Sequence, residues 1–318
     1  MEKPVLAISV PCYNEEACIP STLKTLKEVL NNLVSEGLIS EKSFLLFTDD
    51  GSKDKTWELI SNAYKENLCN IKAVRFSRNF GNQAAILAGL EAARRYDVDA
   101  VLTIDADLQQ DVNKIRDFVI GYNEGYDIVA GVRNDRDEEG FFKKMGAICF
   151  YKLINMLGVN MKPNHSEFRL ISRNTLKILE NYQERNIFLR GLFSELGLDT
   201  KYISFDVKQR EYGVSKFSMM ALYKLAIMGI VSFSTYPLRL VCFMGMLIAG
   251  ASFLVAVLIL IDQLMSVHMF NSIEFFKIWM SFIAGIQILC IGLIGEYVGQ
   301  ILAEVKGRPR YIISKELD

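Results

Sequence analysis

Short apolar runs alternate with longer helical patterns in the first part of the chain. Each run has the length of a buried strand and ends at turn residues or charged residues. Leucines from Leu23 to Leu33 follow the first run at helical spacing. The alternation predicts an α/β fold with a mostly parallel sheet. The predicted strands are Val5–Val10, Ser43–Thr48, Ile71–Phe76, a strand beginning at Val101, and Tyr126–Val132.

Polar side chains follow every predicted strand. In parallel α/β sheets, ligands bind beyond the carboxyl ends of the strands, where these residues would meet. The convergence predicts a binding site for a nucleotide and a metal ion. The strand-end residues are Tyr13, Glu15, Asp49, Asp50, Arg78, Asp105, Asp107 and Arg133.

Two carboxylates, Asp105 and Asp107, follow the fourth strand one residue apart. On an extended chain, residues i and i+2 point to the same side, so both can face one point. Carboxylate oxygens suit Mg²⁺ or Mn²⁺, and such an ion would neutralise a diphosphate leaving group. Taken alone, an Asp-x-Asp sequence is also typical of a solvated turn, and the surrounding motifs decide between the two interpretations.

Several classes of protein are disfavoured by what the sequence lacks. It has no Gly-x-Gly-x-x-Gly or Walker-type loop, which argues against a dinucleotide oxidoreductase and a P-loop NTPase. The formal net charge is −1 and no basic patch is interleaved with aromatic residues, so no nucleic-acid partner is expected. Six cysteines without Cys-x-x-Cys spacing fit reduced thiols in a protein that faces the cytosol.

Hydrophobic residues make up 51% of the chain and are concentrated after residue 217. Two stretches, 240–261 and 278–300, are predicted to be transmembrane helices, because each is long enough to cross about 30 Å of hydrocarbon. Segment 225–238 is shorter, and we expect it to lie along the membrane interface. Basic residues follow the second stretch, which places both flanks of the pair in the cytosol by the positive-inside rule.

These patterns divide the chain into four parts. Residues 1–210 form a cytosolic catalytic domain, 211–238 a juxtamembrane interfacial segment, 239–303 the two spans, and 304–318 a cytosolic tail. The N-terminus carries no signal-peptide pattern, so the catalytic domain and both termini are expected in the cytosol. The expected location is a bacterial plasma membrane, as a multi-pass protein of the lipid bilayer. A homo-oligomer is compatible with the sequence.

Four ordered motifs follow the first four predicted strands: Pro11-Cys-Tyr-Asn-Glu-Glu16, Asp49-Asp-Gly-Ser-Lys-Asp54, Ser77-Arg-Asn-Phe-Gly81 and Asp105-Ala-Asp-Leu-Gln109. They resemble the successive motifs of family 2 glycosyltransferases with the GT-A fold. More narrowly, they resemble the polyprenyl-phosphate glycosyltransferases, which are dolichyl-phosphate mannose synthase-like enzymes of the bactoprenol type. The likeness extends from residue 5 to about residue 310.

The resemblance implies roles for these residues. Asp105 and Asp107 would hold the metal ion and the diphosphate, with Gln109 beside them. Asp107 is also expected to be catalytic. The nucleotide-sugar site, with its strand-end residues included, would comprise Pro11, Tyr13, Glu15, Asp49, Asp50, Arg78, Gln83, Asp105, Gln109 and Arg133.

A later motif, Ser166-Glu-Phe-Arg169, departs from the Gly-Asp-Phe-Arg that is usual in the family. Glu167 and Arg169 are expected to be catalytic, but the longer carboxylate leaves the role of Glu167 and the sugar specificity open. The alternative is a solvated loop carboxylate paired with Arg169. His165 is interpreted either as a metal ligand or base, or as an incidental loop histidine.

The segment Gln209-Arg-Glu-Tyr-Gly-Val-Ser-Lys216 resembles the Arg-x-x-Gly-x-Ser-Lys motif of the same family. Arg210, Ser215 and Lys216 offer the donors and the positive charge that a lipid phosphate needs. An ordinary juxtamembrane basic cluster attracted to anionic lipids is the alternative, and both can hold together.

The expected function is inverting transfer of one sugar from a nucleotide-sugar donor to polyprenyl phosphate at the cytosolic face. A uridine donor is favoured by family frequency, with GDP left open. One alternative is a processive polysaccharide synthase, disfavoured because neither Trp57 nor Trp279 lies in a Gln-x-x-Arg-Trp motif. The other is an inactive scaffold of cell-envelope assembly, disfavoured because the motifs are intact. The sugar, the lipid length and the oligomeric state stay open.

Overall fold

The computed structural model describes residues 3–134, 165–185, 189–207, 236–265 and 272–318. The described residues form one eight-stranded sheet with helices on both faces. Its strands are β1 (Leu6–Cys12), β2 (Phe44–Asp49), β3 (Ile71–Phe76), β4 (Ala100–Thr103), β5 (Ile128–Arg133), β6 (His165–Ser172), β7 (Thr200–Phe205) and β8 (Ile313–Leu317).

The strand order across the sheet is β7-β5-β6-β4-β1-β2-β3-β8. Strands β4, β1, β2 and β3 are parallel, and β5 is parallel to β7. Strand β6 runs antiparallel to both β4 and β5, and β8 runs antiparallel to β3. The predicted α/β class with a mostly parallel sheet is confirmed, and the five predicted strands are shifted by one or two residues at most.

Two hydrophobic cores lie on opposite faces of the sheet. Helices α1, α2 and α4 pack in the first core, and α3, α5 and α6 pack in the second. Strands β1 and β2 are buried along their whole length, which explains their continuous apolar sequence. The helices are α1 (Ile19–Ser35), α2 (Thr56–Lys65), α3 (Asn82–Ala93), α4 (Ile115–Asn123), α5 (Arg173–Leu179) and α6 (Leu189–Glu195).

Strand β6 contains Glu167 and Arg169, where the sequence predicts no strand. All of its residues are buried, between β4 and β5. Successive side chains of a strand point to opposite faces, and Phe168 and Leu170 pack in the first core. Glu167 and Arg169 therefore point to the opposite face, towards α3 and α6.

Strand β8 was not predicted either, since residues 304–318 were interpreted as a tail. The chain divides into two compact units, Met1–Gly229 with Pro309–Asp318, and Ile230–Arg308. The last residues of the chain therefore belong to the same unit as the first strand, and β8 extends the sheet beyond β3.

The second unit contains helices α7 (Tyr236–Met265) and α8 (Ser272–Val305). Within α8, Phe282–Val305 is long and apolar enough to cross a membrane, and no residue in its most apolar part is buried. In α7 the corresponding apolar stretch, Phe243–Val255, is shorter. Helices at both predicted positions are confirmed, but among the described residues only one of them qualifies as a candidate span.

Two other predicted segments lie outside the described residues. One is the stretch 141–158, which the sequence predicts to be helical, and the other is most of the interfacial segment 225–238. The last residues of that segment, from Tyr236 on, begin α7.

Helix α3 approaches the sheet closely at Gly89. A Cβ atom there would lie 2.2 Å from the Ser9 Oγ and 3.1 Å from the Thr48 Oγ1. Both hydroxyl groups are buried, and neither has a hydrogen-bond partner in the part of the chain that the structure describes. The glycine is therefore required by the space between helix and sheet.

We expect Gly89→Ala to lower the free energy of unfolding by about 1–3 kcal/mol, because the added methyl group overpacks this contact. Adding Ser9→Ala removes the nearest atom, so the double variant should recover most of the loss. Chemical denaturation of the purified full chain in detergent would measure both values. Equal losses in the single and double variants would contradict the steric explanation.

Candidate active site

The loops that follow β1 and β2 hold each other in place. The Asn14 amide N–H donates to the Ser52 Oγ at 2.9 Å, and the Lys53 amide N–H donates to the Asn14 Oδ1 at 2.9 Å. Asn14 has a φ of 52°, a left-handed conformation that asparagine tolerates better than most residues. These contacts fix the backbone on either side of Tyr13 and Glu15, both half-buried.

Asp50 connects the end of β2 to the loop that follows β3. Its carboxylate accepts hydrogen bonds from the amide groups of Phe80, at 2.6 Å, and Gly81, at 2.9 Å. Burial raises the pKa of Asp50 to about 6, although both N–H groups favour the ionised form. Asp50 therefore positions the loop that carries Arg78; its predicted contact with the nucleoside stays a prediction.

The neighbouring Asp49 is fully buried and forms an ion pair with Arg75 at 3.1 Å. Burial raises the pKa of Asp49, against the hydrogen bond that it accepts from the Ser52 amide. The chain then turns at Gly51, whose φ is 66°, and a Cβ there would lie 2.5 Å from the Arg78 carbonyl carbon. Only glycine fits this close approach of the β2 and β3 loops.

A cavity of about 660 Å³ opens beside these loops. Its walls carry the positive charges of Lys53, Arg75 and Arg78. The guanidinium of Arg78 lies 4.0 Å from the ring centre of Phe80, which limits its movement. A cavity of this size with cationic walls suits an anionic ligand the size of a nucleotide. The residues that line it include Tyr13, Lys53, Arg75, Ser77, Arg78 and Ser314.

The second part of the site lies after β4, around Asp105 and Asp107. Gln110 donates to the Asp105 carboxylate and accepts a hydrogen bond from the Asp105 amide at 3.2 Å. The Gln109 amide donates to Asp107 at 3.2 Å, and Leu108 between them adopts a φ of 49°. This turn holds the two carboxylates in place.

The two carboxylates act on each other. Burial and the charge of Asp107 raise the pKa of Asp105 to about 6. The charges of Glu167 and Arg190 also act on Asp105, so strand ends β4 and β6 contribute to one cluster. Within the described ranges, no group of three or more His, Cys, Asp or Glu residues could hold a metal ion.

Glu167 is buried, with 7% of its surface exposed, and has fixed partners. Arg190 on α6 forms an ion pair with the Glu167 Oε1 at 2.8 Å, and the side-chain Nε2 of Gln83 donates to the same oxygen at 3.1 Å. Burial alone would raise the pKa of Glu167, but the positive charges of Arg190 and Arg169, with the Gln83 hydrogen bond, lower it. The alternative of a solvated loop carboxylate paired with Arg169 is wrong, because Glu167 is a buried strand residue whose ion pair is with Arg190.

Arg169 is also buried and lies on the same face of β6 as Glu167, against α6. Its Nη2 lies 3.0 Å from the His165 Nε2, and its guanidinium carbon lies 4.0 Å from the ring centre of Phe193. Burial lowers the pKa of Arg169 to about 10. His165 is therefore a buried strand residue, and the interpretation as an incidental loop histidine is wrong.

The remaining predicted residues are placed as follows. Pro11 is buried at the end of β1, and Arg133 is half-buried at the end of β5. Arg210, Ser215 and Lys216 lie outside the described residues.

Contributors to the site that were not predicted include Arg75, Gln110, Arg190 and Ser314. Arg190 had a detectable signal, since it is the single charged residue in the apolar run from Ile187 to Phe193. A lone charge in such a run indicates a buried ionic partner.

Residues 7–185 match the family model described as Glycosyl transferase family 2. The chain belongs to glycosyltransferase family 2. It is therefore a glycosyltransferase, as the motifs at the strand ends indicate.

This glycosyltransferase is similar to proteins that match it over nearly their whole length. It is 41% identical to the uncharacterized glycosyltransferase YkoT of Bacillus subtilis, over 99% of this chain and 93% of that protein. It is 36% identical to the SfII prophage-derived bactoprenol glucosyl transferase of Shigella flexneri, over 98% of this chain and 97% of that protein. The similarity thus covers both compact units.

One solved structure that it resembles is glucosyl-3-phosphoglycerate synthase from Mycobacterium tuberculosis, in complex with Mn²⁺, UDP-glucose and phosphoglyceric acid. That chain is 18% identical, with a TM-score of 0.45, over 72% of this chain and 78% of that chain.

We expect Arg190→Ala to lower the free energy of unfolding by about 2–4 kcal/mol near neutral pH, because it leaves Glu167 buried without its cation. The folded-state pKa of Glu167 is lowered, so the stabilisation is present above the ordinary Glu pKa of about 4.3 and is lost as the pH falls. The difference between Arg190→Ala and the unaltered chain should therefore shrink in acid. Denaturant unfolding at a series of pH values would measure it.

Arg116→Ala provides the control. It removes an equally close ion pair, 2.6 Å from Glu36, in which both side chains are exposed. Exposed pairs contribute about 0–1 kcal/mol, so the loss should be small. Arg190→Lys should lie between the two, because it keeps the charge and loses the guanidinium geometry. Similar losses in Arg190→Ala and Arg116→Ala would contradict the role given to burial.

Proposed function

We propose that this glycosyltransferase transfers one sugar from a nucleotide-sugar, a UDP-sugar in the first instance, to polyprenyl phosphate at the cytosolic face of a bacterial plasma membrane. One observation carries the proposal. A cationic cavity and a cluster of Asp105, Asp107 and Glu167 lie at the same end of the sheet, where the parallel strands end. Relatives named bactoprenol glucosyl transferase, similar over 98% of the chain, support a polyprenyl acceptor.

The donor set fits a divalent cation. Asp105 and Asp107 are held by the Gln109 and Gln110 contacts, and the raised pKa of Asp105 shows that its charge lacks compensation. Mg²⁺ is usually bound by one or two carboxylates together with substrate phosphates, so two carboxylates are sufficient. Asp105 and Asp107 would hold Mg²⁺ or Mn²⁺, which when bound would neutralise charge on the diphosphate leaving group.

The chain's own residues position the reactants. In an inverting displacement, a phosphate oxygen of the lipid bonds to the anomeric carbon while the bond from that carbon to the nucleoside diphosphate breaks. The lipid phosphate is already anionic, so its attack requires orientation and charge stabilisation more than a strong base. We assign Asp107, Glu167 and Arg169 to the catalytic centre, with Glu167 held rigidly by Arg190 and Gln83.

The acceptor side of the site rests on sequence. Arg210, Ser215 and Lys216 would bind the lipid phosphate, next to the segments that approach the membrane. Helix α8 contains a candidate span, and we propose that α7 supplies the second, so that the catalytic unit and both termini stay on the cytosolic side.

Radiolabel transfer tests the function directly. Membranes containing the full chain, polyprenyl phosphate, Mg²⁺ or Mn²⁺ and a panel of labelled UDP- and GDP-sugars should give label in an organic-extractable lipid from one donor. EDTA should abolish transfer, and added Mg²⁺ or Mn²⁺ should restore it. Absence of a lipid product from every donor would overturn the proposal.

We expect Asp107→Ala to reduce transfer by about a hundredfold or more, because it removes charge stabilisation at the leaving group. Its unfolding midpoint should stay close to that of the unaltered chain, since Asp107 is half-buried and lies in a turn. Asp117→Ala, at a partly exposed carboxylate on α4, is the matched control and should leave transfer unchanged. Full activity in Asp107→Ala would refute the assignment.

A further inference from the structure

The last strand of the chain lies beside the candidate donor cavity. Strand β8 pairs with β3, with Ala73 opposite Leu317 and Arg75 opposite Lys315. The loop that carries Arg78 follows β3 directly. The ladder continues past the strand end, since the Ser77 amide donates to the Ile312 carbonyl at 2.9 Å. The C-terminal segment therefore borders the same loop that carries Arg78.

Ser314 is the extra residue of a β-bulge in this ladder. Arg75 lies opposite Lys315 but the next residue, Phe76, lies opposite Ile313, so Ser314 has no counterpart on β3. Bulges re-aim a side chain and are frequent next to active sites. Ser314 lines the cavity, and its Oγ donates to the Arg75 carbonyl at 3.1 Å.

The bulge is fixed by packing on both sides. Ile313 packs with the second core, which contains α3, whereas Leu317 packs with the first core, which contains α1 and α2. Residues four apart on a regular strand would point to one face. The extra residue reverses the alternation, so each core receives one side chain from β8.

Side-chain contacts before and after the bulge hold the segment to the sheet. The Tyr311 ring stacks on Phe76, with ring centres 4.8 Å apart and an angle of 14°. Arg310 forms an ion pair with Glu91 on α3 at 3.0 Å, and Arg95 contacts Glu316 at 3.1 Å. Ser314 is thus presented by a segment with fixed contacts.

We propose that Ser314 is a donor-binding residue, and that residues 309–318 form the wall of the cavity that contacts the nucleoside half of the nucleotide-sugar. This inference rests on the proposed function and extends its donor site to the end of the chain. The Ser314 hydroxyl donates to the Arg75 carbonyl, so its oxygen is left to accept a hydrogen bond from a ribose hydroxyl or a base N–H. The small side chain of Ser314 leaves room in the cavity, which Tyr13 and Arg78 also line.

Direct binding of UDP and GDP to the purified full chain in detergent tests the proposal. Ser314→Trp fills the cavity, and we expect it to raise the Kd of the nucleotide that the unaltered chain binds by about tenfold or more. Ser35→Trp is the matched control and should change the Kd less than about twofold. Ser35 also donates its hydroxyl to a nearby carbonyl, that of Asn32, and lies at the far end of α1 from the β1 loop.

Ser314→Asp and Ser314→Asn provide a second pair of nearly equal shape. The aspartate places a negative charge near Arg75 and Arg78, so we expect it to bind the nucleotide at least about fivefold more weakly than the asparagine variant. This pair decides the question if the tryptophan variant does not fold.

The outcomes separate the two proposals. An unaltered chain that binds neither UDP nor GDP would overturn the proposed function and the inference with it. Tight binding by the unaltered chain, together with an unchanged Kd in folded Ser314→Trp, or an equal Kd in the aspartate and asparagine variants, would overturn the inference alone.

Discussion

Parallel hydrogen bonding among β4, β1, β2 and β3 is the constraint on which the site depends. It brings the carboxyl ends of four strands together at one end of the sheet, although long segments of chain separate these strands. The loops at these strand ends then form hydrogen bonds with one another: Asp50 holds the β3 loop, and Ser52 holds the β1 loop. The sheet fixes the positions of the strand ends, and these in turn fix the loops that carry the site residues.

The carboxylates of the site are in two different electrostatic states. Asp50 and Asp105 have their pKa values raised to about 6 by burial, so their charges are poorly compensated by the protein alone. Glu167 has its pKa lowered, because Arg190 and Arg169 more than offset its burial. Glu167 is thus stabilised as an anion by the protein itself, whereas Asp105, like Asp50, is not. The two carboxylates are therefore suited to different tasks within one cluster.

The continuous apolar sequence of the buried strands made β1 to β5 predictable. Strand β6 was not predicted because one of its two buried faces is polar. Glu167 and Arg169 on that face alternate with Phe168 and Leu170 on the other, so the sequence is not continuously apolar. Charged and apolar residues alternate in β6 with the period of a strand. The ion pair with the half-buried Arg190 compensates the buried charge of Glu167. The turn residues Asp105 and Asp107 were recognisable because their type and spacing indicate their chemistry.

Strand β8 could not be read from its own residues. Ile-Ser-Lys-Glu-Leu is short, two of its five residues are charged, and its partner β3 lies more than two hundred residues earlier in the chain. What selects β8 is the open edge of β3 and the position of Ile313 and Leu317 against two separate cores. Such a pairing depends on tertiary structure, and local propensity carries little information about it.

The pairing also ties the sheet to the order of translation. The other strands of this sheet are synthesised before the ribosome reaches α7, yet the edge of β3 stays uncovered until β8 emerges. An uncovered edge is a template for pairing with other chains. A chain that ends between β7 and β8 would therefore leave an exposed, aggregation-prone edge on an otherwise complete sheet.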